Sequence, residues 1–137
     1  MYKKVKRIAG NSLTIKGQQP FDEIPKWIAA VDAIAIPQRN TLATRGQLPA
    51  KVFDAMAMAK PIIATNVSDL PTILDGCGLI VEPEEPTQLQ DAILRLFFDE
   101  TLREEIGQAA RKRCVKQYSY DALAPVIDEI VTTVADD

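Results

Sequence analysis

The sequence predicts an α/β fold in which a parallel sheet of about four strands carries helices on both faces. Short apolar runs bounded by Gly and Pro alternate with stretches whose apolar residues recur every three or four positions. Two of these runs are apolar without interruption, as in strands buried on both faces of a parallel sheet. The last third of the chain has helical periodicity throughout. At 137 residues, with 47% hydrophobic content, the chain is expected to form a single domain, residues 1–137.

The first predicted unit is a strand followed by a helix. Residues 12–15 alternate polar and apolar side chains, which predicts a short strand ending before Gly17. A helix is expected from Ile24, because Pro25 is tolerated in a first helical turn. The next strand is predicted at 33–37, an apolar run that we expect to be buried on both faces.

The second predicted helix begins at Pro49, because the N–H that proline lacks has no partner in a first helical turn. Lys51 and Asp54 lie three residues apart on its exposed side, where a cation and an anion can pair. Further strands are expected at 61–65 and 79–81. The core face of this helix is predicted to consist of Val52, Phe53 and Met56.

The last third is predicted to form three amphipathic helices, the first opened by Pro86 and the third capped by Ser119. In an amphipathic helix the apolar face normally packs on the core. The predicted apolar faces are Leu89, Ala92, Ile93, Leu96 and Phe97 in the first helix, Leu102, Ile106, Ala109 and Ala110 in the second, and Leu123, Val126, Ile127, Ile130, Val131 and Val134 in the third.

Composition excludes several kinds of function. The net charge is −3, with 16 basic and 19 acidic residues interspersed, so nucleic acid is not an expected partner. No apolar run reaches the roughly 20 residues that span a bilayer, and the first residues lack an apolar signal-like stretch, so we expect a cytoplasmic protein. Histidine is absent, which removes the commonest general base. Cys77 and Cys114 lack metal or redox spacing and are expected to be free core thiols.

In a parallel α/β sheet, ligands bind at the carboxyl ends of the strands, so we expect a ligand to bind at the loops after Pro37 and Thr65. The segments around these loops resemble the GT-B glycosyltransferases of the retaining, glycogen-synthase-like and mannosyltransferase-like type. The resemblance rests on Asp32-Ala33-Ile34-Ala35-Ile36-Pro37, Phe53-Asp54-Ala55-Met56-Ala57, Lys60-Pro61-Ile62-Ile63-Ala64-Thr65, Leu70-Pro71-Thr72-Ile73-Leu74, Gly76-Cys77-Gly78-Leu79-Ile80-Val81, and the helical stretch 102–111. It implies a Rossmann-like, partial GT-B C-terminal domain that binds a nucleotide sugar.

The resemblance further implies that the loop after Pro37 and the helix containing Asp54 hold the donor sugar and its diphosphate. In this family one glutamate in the loop contacts the sugar, and a second, in the helix, contacts the ribose. Gly46 stands at the first position and Asp54 at the second, and Lys51 follows a Pro-x-Lys pattern that a subset of the family shares. Its ammonium could contact a diphosphate oxygen. The donor-binding residues are thus expected to be Gly46, Gln47, Leu48, Lys51 and Asp54, with catalytic residues unassigned, no metal, and no cofactor besides the NDP-sugar substrate.

Two observations leave alternatives to donor binding open. Lys51 and Asp54 could form only an exposed helix pair that contributes roughly 0.3–0.5 kcal/mol. In the second ligand-facing loop, Ala59, Ser68 and Thr72 replace residues that are more often Gly, Gly and Glu. The chain is therefore predicted to be either part of a retaining hexosyltransferase or a degenerate, non-catalytic nucleotide-binding or assembly module.

The resemblance also implies missing parts. The family's C-terminal domain has two further strands before the region matched here, as well as a separate acceptor-binding domain. Their loss would leave a gap between the predicted 12–15 and 33–36 strands. Either those two strands pair directly, or a second copy or another polypeptide supplies the missing material, so we expect an oligomer or an acceptor-domain partner.

Overall fold

The computed structural model describes residues 7–135. Short 3₁₀ turns lie at Gly10–Ser12 and Phe21–Glu23. The strands are β1 (Ile34–Ile36), β2 (Ile62–Thr65) and β3 (Leu79–Val81). The helices are α1 (Ile24–Ala29), α2 (Leu42–Arg45), α3 (Lys51–Ala57), α4 (Leu70–Ile73), α5 (Pro86–Phe98), α6 (Glu100–Gln117) and α7 (Tyr120–Ala135). The order β1-α2-α3-β2-α4-β3 along the chain confirms the predicted α/β class.

The three strands form one parallel sheet in the order β1-β2-β3. Ile34 is in register with Ile62, and Ile63 with Leu79. The sheet has fewer strands than predicted because residues 12–15 form none: Ser12 ends a 3₁₀ turn, and residues 13–15 lie outside any strand. An alternating pattern of four residues favours an extended chain, and Leu13 does have extended backbone angles, but a strand also needs a neighbour to pair with.

Helices cover both faces of the sheet, as predicted. We call these faces the α3 face, on which α3 and α6 pack, and the α5 face, on which α5 packs. Successive side chains of β2 alternate between them: Ile62 and Ala64 belong to the core of the α3 face, and Ile63 to that of the α5 face. The other buried residues of the α3-face core are Ile36, Val52, Ala55, Met56, Leu70, Ile73, Leu74, Cys77, Ala110 and Cys114. Those of the α5-face core are Val81, Ala92, Leu96 and Ile106.

The predicted helix starts agree with the structure except at α3, and the short helices α2 and α4 were not predicted. Helix α3 begins at Lys51, two residues after the predicted start at Pro49. The carbonyl oxygens of Pro49 and Ala50 accept hydrogen bonds from Val52 and Phe53, three residues on, so a tighter turn precedes the α-helix. Pro86 opens α5, and the Ser119 hydroxyl caps α7 by accepting a hydrogen bond from the Ala122 N–H at 3.2 Å, as predicted.

Several apolar positions that the sequence assigns to the core are exposed instead. Ala35 in β1 is exposed, so the prediction that this strand is buried on both faces is wrong. In α5, Ile93 is 47% and Phe97 71% exposed, whereas Ala92 and Leu96 are buried. No residue of α7 is buried, so its predicted apolar face lies in solvent.

Among residues 7–135, no helix combines the length and the apolar character needed to cross a membrane. Cys77 and Cys114 are both buried and unbridged, which confirms that they are free core thiols. Burial raises the pKa of each thiol, while the positive charges of Arg113 near Cys77 and Arg111 near Cys114 lower it. Burial is the larger influence in both cases.

Candidate functional site

The carboxyl ends of the three strands meet at one edge of the sheet, as in any parallel arrangement. Each strand is followed there by polar residues, and together they border a cavity of about 340 Å³. Its lining comprises Pro37, Gln38 and Arg39 after β1, Thr65 at the end of β2, and Val81, Glu82, Glu84, Glu85, Pro86 and Leu89 between β3 and α5.

Hydrogen bonds hold the loops around this cavity in place. The Thr65 hydroxyl accepts from the backbone N–H of Gln38 and donates to its carbonyl oxygen, both at 2.9 Å, which attaches the loop after β1 to the end of β2. The Asn66 side-chain amide donates to Glu82 at 3.0 Å. The Glu82 N–H in turn donates to the Gln88 side chain at 2.9 Å. All three strand ends are therefore linked through side chains.

Two properties of the cavity bear on its chemistry. The Oε1 atom of Gln38 is buried, with no hydrogen-bond partner among the described residues, so it is an acceptor available to a donor from a ligand. The charged lining residues are one arginine, Arg39, and three glutamates, Glu82, Glu84 and Glu85. This excess of carboxylates favours hydroxyl donors over a phosphate anion.

The loops after β1 and β2 were predicted from the sequence to bind a ligand, and the loop after β3 was not. Glu82, Glu84 and Glu85 were therefore missed as candidates. Their position directly after the predicted strand 79–81 was the signal that could have found them. Glu84 also has a backbone φ of 65°, a left-handed value that is uncommon for a residue with a side chain.

Three of the predicted donor-binding residues, Gly46, Gln47 and Leu48, lie in the loop between α2 and α3, and the other two lie in α3. None of the five lines the strand-end cavity. Gly46 follows α2, and a side chain added there would meet no atom within 4 Å. Gln47 is exposed, and its N–H donates to Thr44 at 3.3 Å. Leu48 is partly buried and packs on the core of the α3 face. The loop is thus anchored at Leu48 and open at Gly46.

Lys51 and Asp54 occupy the first turn of α3, and both are exposed. Within the described part of the chain, salt bridges link Lys26 to Glu23 and Arg103 to Glu100, and none joins Lys51 to Asp54. The interpretation of the two as an exposed ion pair is therefore not supported. Burial raises the pKa of Cys114 most strongly, the Arg111 charge lowers it, and the Asp54 charge raises it by a smaller amount. Asp54 therefore lies near Cys114 of α6.

The backbone before Lys51 presents unpaired amides. Among the described residues, the N–H groups of Leu48, Ala50 and Lys51 have no hydrogen-bond acceptor. Ala50, the residue before α3, has no side chain that could cap the helix. Unpaired backbone N–H groups beside a lysine are suited to binding an anionic oxygen.

Two of the departures from the family pattern lie on either side of β2, Ala59 in the turn before it and Ser68 in the ligand-facing loop after it. Ala59 and Ser68 have backbone φ values of 53° and 55°, in the left-handed region that glycine adopts without steric cost. These are the positions where the family more often has Gly. Thr72, the third departure, is exposed on α4. The backbone at Ala59 and Ser68 therefore has the conformation that glycine favours, although neither residue is glycine.

Comparison with known proteins gives the class to which this fold and site belong. The sequence profile of the family described as "Glycosyl transferases group 1" matches residues 2–99. The chain belongs to this family, and its fold is that of the C-terminal domain of a GT-B glycosyltransferase.

The individual relatives are longer proteins. An uncharacterized glycosyltransferase of Methanocaldococcus jannaschii is 28% identical over 99% of this chain and 39% of its own length. A D-inositol 3-phosphate glycosyltransferase of Corynebacterium jeikeium is 29% identical over 82% of this chain and 27% of its own length. The chain thus spans about a third of the length of the curated relatives it matches.

Solved structures agree on the fold. Sucrose-phosphate synthase from Thermosynechococcus elongatus superposes with a TM-score of 0.84 at 20% identity, covering 98% of this chain and 34% of that one. The C-terminal domain of a group 1 family protein, LpcC, from Francisella tularensis superposes with a TM-score of 0.71 at 27% identity. This match covers 87% of the present chain but only 60% of that isolated domain. The chain is therefore a partial domain of the GT-B type.

Proposed function

We propose that this chain is the donor-binding part of a glycosyltransferase that transfers a hexose from an NDP-sugar with retention of configuration. The observation that carries the proposal is the arrangement at the start of α3, in a chain that belongs to the group 1 family. There an exposed lysine and an exposed aspartate adjoin a loop with unpaired amides. A cation and free N–H groups suit a diphosphate, and a carboxylate suits the hydroxyls of a ribose.

The diphosphate belongs at this loop rather than in the strand-end cavity. Lys51 offers a positive charge, and the amides of Leu48 and Ala50 offer hydrogen-bond donors. The loop residues 46–50 include no acidic side chain that would repel a diphosphate. The cavity is lined by three glutamates and a single arginine, and their excess negative charge would repel a diphosphate.

The sugar and the ribose need acceptors for their hydroxyl groups. Asp54 can accept two hydrogen bonds from the ribose, although its side chain is one methylene shorter than glutamate. Gly46 has no side chain with which to contact the sugar. Gln38 belongs to the same segment between β1 and α3, and its Oε1 is a buried acceptor without a described partner. We assign it as a compensating acceptor for the donor sugar.

The chemistry needs no histidine. The bond between the sugar C1 and the diphosphate oxygen breaks, and an acceptor oxygen bonds to C1 on the same face. The leaving phosphate takes the proton of the acceptor hydroxyl, and Lys51 stabilises the negative charge that develops on the diphosphate. Transfer also requires an acceptor held opposite the donor, so the remaining part of a GT-B enzyme has to be present for turnover. The metal-free reaction and the cytoplasmic location stay predictions.

Calorimetric titration of the purified chain with UDP, GDP and ADP, alone and carrying a hexose, tests the proposal. We expect one nucleotide series to bind saturably. Lys51→Ala and Asp54→Ala should each weaken it by about tenfold or more, since one charge-assisted hydrogen bond is worth at least about 1.4 kcal/mol. Lys116→Ala and Asp91→Ala, which remove the same charges from exposed positions on α6 and α5, are the matched controls.

Two results would contradict the proposal. Absence of binding by every nucleotide would favour the non-catalytic module instead. Equal losses in the control variants would show that binding follows net charge and not the start of α3.

A further inference from the structure

Thr65 ends β2 with a polar side chain in an otherwise apolar strand. It is only 4% exposed and, the two thiols aside, it is the one buried residue with a polar or charged side chain in the described range 7–135. Burying a hydroxyl costs free energy unless the hydroxyl is hydrogen-bonded. Valine has the same branched shape without that cost, so the threonine is explained by what its hydroxyl binds.

The Thr65 hydroxyl binds both backbone groups of a single loop residue. Ile36, at the end of β1, is in register with Ala64, so Thr65 lies beside the first residues after β1. Its oxygen accepts from the Gln38 N–H and donates to the Gln38 carbonyl oxygen, both at 2.9 Å. The same N–H also donates to the Ile36 carbonyl at 3.1 Å. Because the N–H and the C=O are both held, the backbone of Gln38 cannot rotate freely, and the direction of its side chain is set.

The residue held in this way carries the unpaired acceptor of the strand-end cavity. Gln38 and Thr65 both line that cavity, and the Gln38 Oε1 atom is buried with no hydrogen-bond partner among the described residues. A ligand donor would remove the cost of leaving this acceptor unpaired. Hydrogen bonds weaken steeply when the donor and the acceptor are misaligned, so an acceptor on a loop needs a support that fixes its direction.

We propose that Thr65 is a positioning residue, which holds the Gln38 Oε1 where it accepts a hydrogen bond from a hydroxyl of the donor hexose. This inference rests on the proposed function, in which Gln38 contacts the donor sugar. Lys51 and Asp54, proposed for the diphosphate and the ribose, lie in α3. Within the described part of the chain, neither forms a hydrogen bond with the Thr65 hydroxyl or with the residue it holds. Thr65 should therefore affect binding of the sugar and not of the nucleotide.

Calorimetric titration with paired probes tests the proposal: UDP and UDP-glucose, GDP and GDP-mannose, ADP and ADP-glucose. The dissociation constant of the nucleotide divided by that of its sugar form measures what the hexose adds. Thr65→Val removes the hydroxyl but keeps the shape, so it should lower this ratio by about fivefold, the usual contribution of one hydrogen bond, and leave the affinity for the nucleotide alone unchanged. Thr65→Ser retains the hydroxyl and should keep the ratio of the wild-type chain. Thr101→Val, at an exposed position in the first turn of α6, is the matched control.

Two further measurements separate positioning from a purely structural role. Gln38→Leu removes the acceptor and should lower the ratio by the same factor. Adding Thr65→Val to that variant should then cause no further loss, because the hydroxyl acts through Gln38. Amide hydrogen exchange followed by NMR, with no nucleotide present, should show that the Gln38 N–H exchanges about fivefold faster in Thr65→Val than in the wild-type chain or in Thr65→Ser.

An unchanged ratio in Thr65→Val, with the nucleotide still bound, would overturn this inference and leave the proposed function standing. Equal losses of affinity for the nucleotide and for its sugar form would also overturn it, since they would show that Thr65 only stabilises the fold. Unchanged exchange of the Gln38 N–H would mean that the hydroxyl does not hold the loop in solution. Absence of binding by every nucleotide in the wild-type chain would instead overturn the proposed function, and this inference with it.

Discussion

The neighbouring strands β1 and β2 have similar sequences and different surroundings. Each is an apolar run next to a proline, and Ile34 and Ile62 face each other in register. All four residues of β2 are buried, whereas β1 has one buried residue, Ile36, and an exposed one, Ala35. Within residues 7–135, β2 has a strand on either side, whereas β1 has a neighbouring strand on one side. The difference teaches that an apolar run specifies a strand, while its burial depends on elements elsewhere in the chain or in a partner.

The difference in burial between β1 and β2 can be tested by replacing each of the two facing isoleucines with alanine. Ile62→Ala should lower the free energy of unfolding by about 4 kcal/mol, because it opens a cavity in a fully enclosed site. Ile34→Ala, at a partly exposed site, should cost about 1–2 kcal/mol. Urea titration followed by circular dichroism measures both.

The two variants control for each other, since they remove the same atoms from the same face of the sheet. Equal losses in the two variants would show that Ile34 is as well covered in solution as Ile62, and the distinction between the strands would then be wrong.

Much of the fold could be predicted from local patterns. Proline and Ser119 marked helix starts to within two residues, and apolar runs located all three strands. The false strand at 12–15 had the right alternation but no partner, and pairing is a long-range property that a four-residue pattern does not contain. The exposed face of α7 has the same origin, because periodicity shows that a helix has an apolar side and not whether anything covers it.

The candidate site was predicted less completely than the fold. The resemblance singled out Lys51 and Asp54, and the structure leaves both side chains exposed and free of a mutual ion pair. The unpaired acceptor of Gln38 and the glutamates after β3 come together only when the strand ends are aligned. Gln38 and Glu82 are 44 positions apart, so spacing alone cannot associate them, and the parallel register of the strands is what brings them together.

On the α3 face, α6 packs closely against the turn after α3, and a substitution at this contact measures how rigid that face is. A side chain at Gly107 would overlap the Ala59 carbonyl, with its Cβ 3.0 Å from the carbonyl carbon. Gly107→Ala should therefore lower the free energy of unfolding by about 2–3 kcal/mol, despite the higher helix propensity of alanine. Gly17→Ala, where an added Cβ meets nothing within 4 Å, should stay within about 0.5 kcal/mol. Thermal and urea unfolding would decide, and similar values for the two variants would show that α6 can move away at little cost.

The smallest expected effect concerns backbone strain in the same turn. Ala59 has a φ of 53°, and the left-handed conformation costs an L-residue about 1–2 kcal/mol. Ala59→Gly removes this cost but gives the unfolded chain more freedom, so we expect a net stabilisation of about 0.5–1 kcal/mol. Ala43→Gly makes the same change in the unfolded chain at an exposed helical position and should destabilise by up to about 1 kcal/mol. Opposite signs would show that the close contact between α6 and this turn is maintained against local strain, whereas a loss in both variants would mean that Ala59 is not strained in solution.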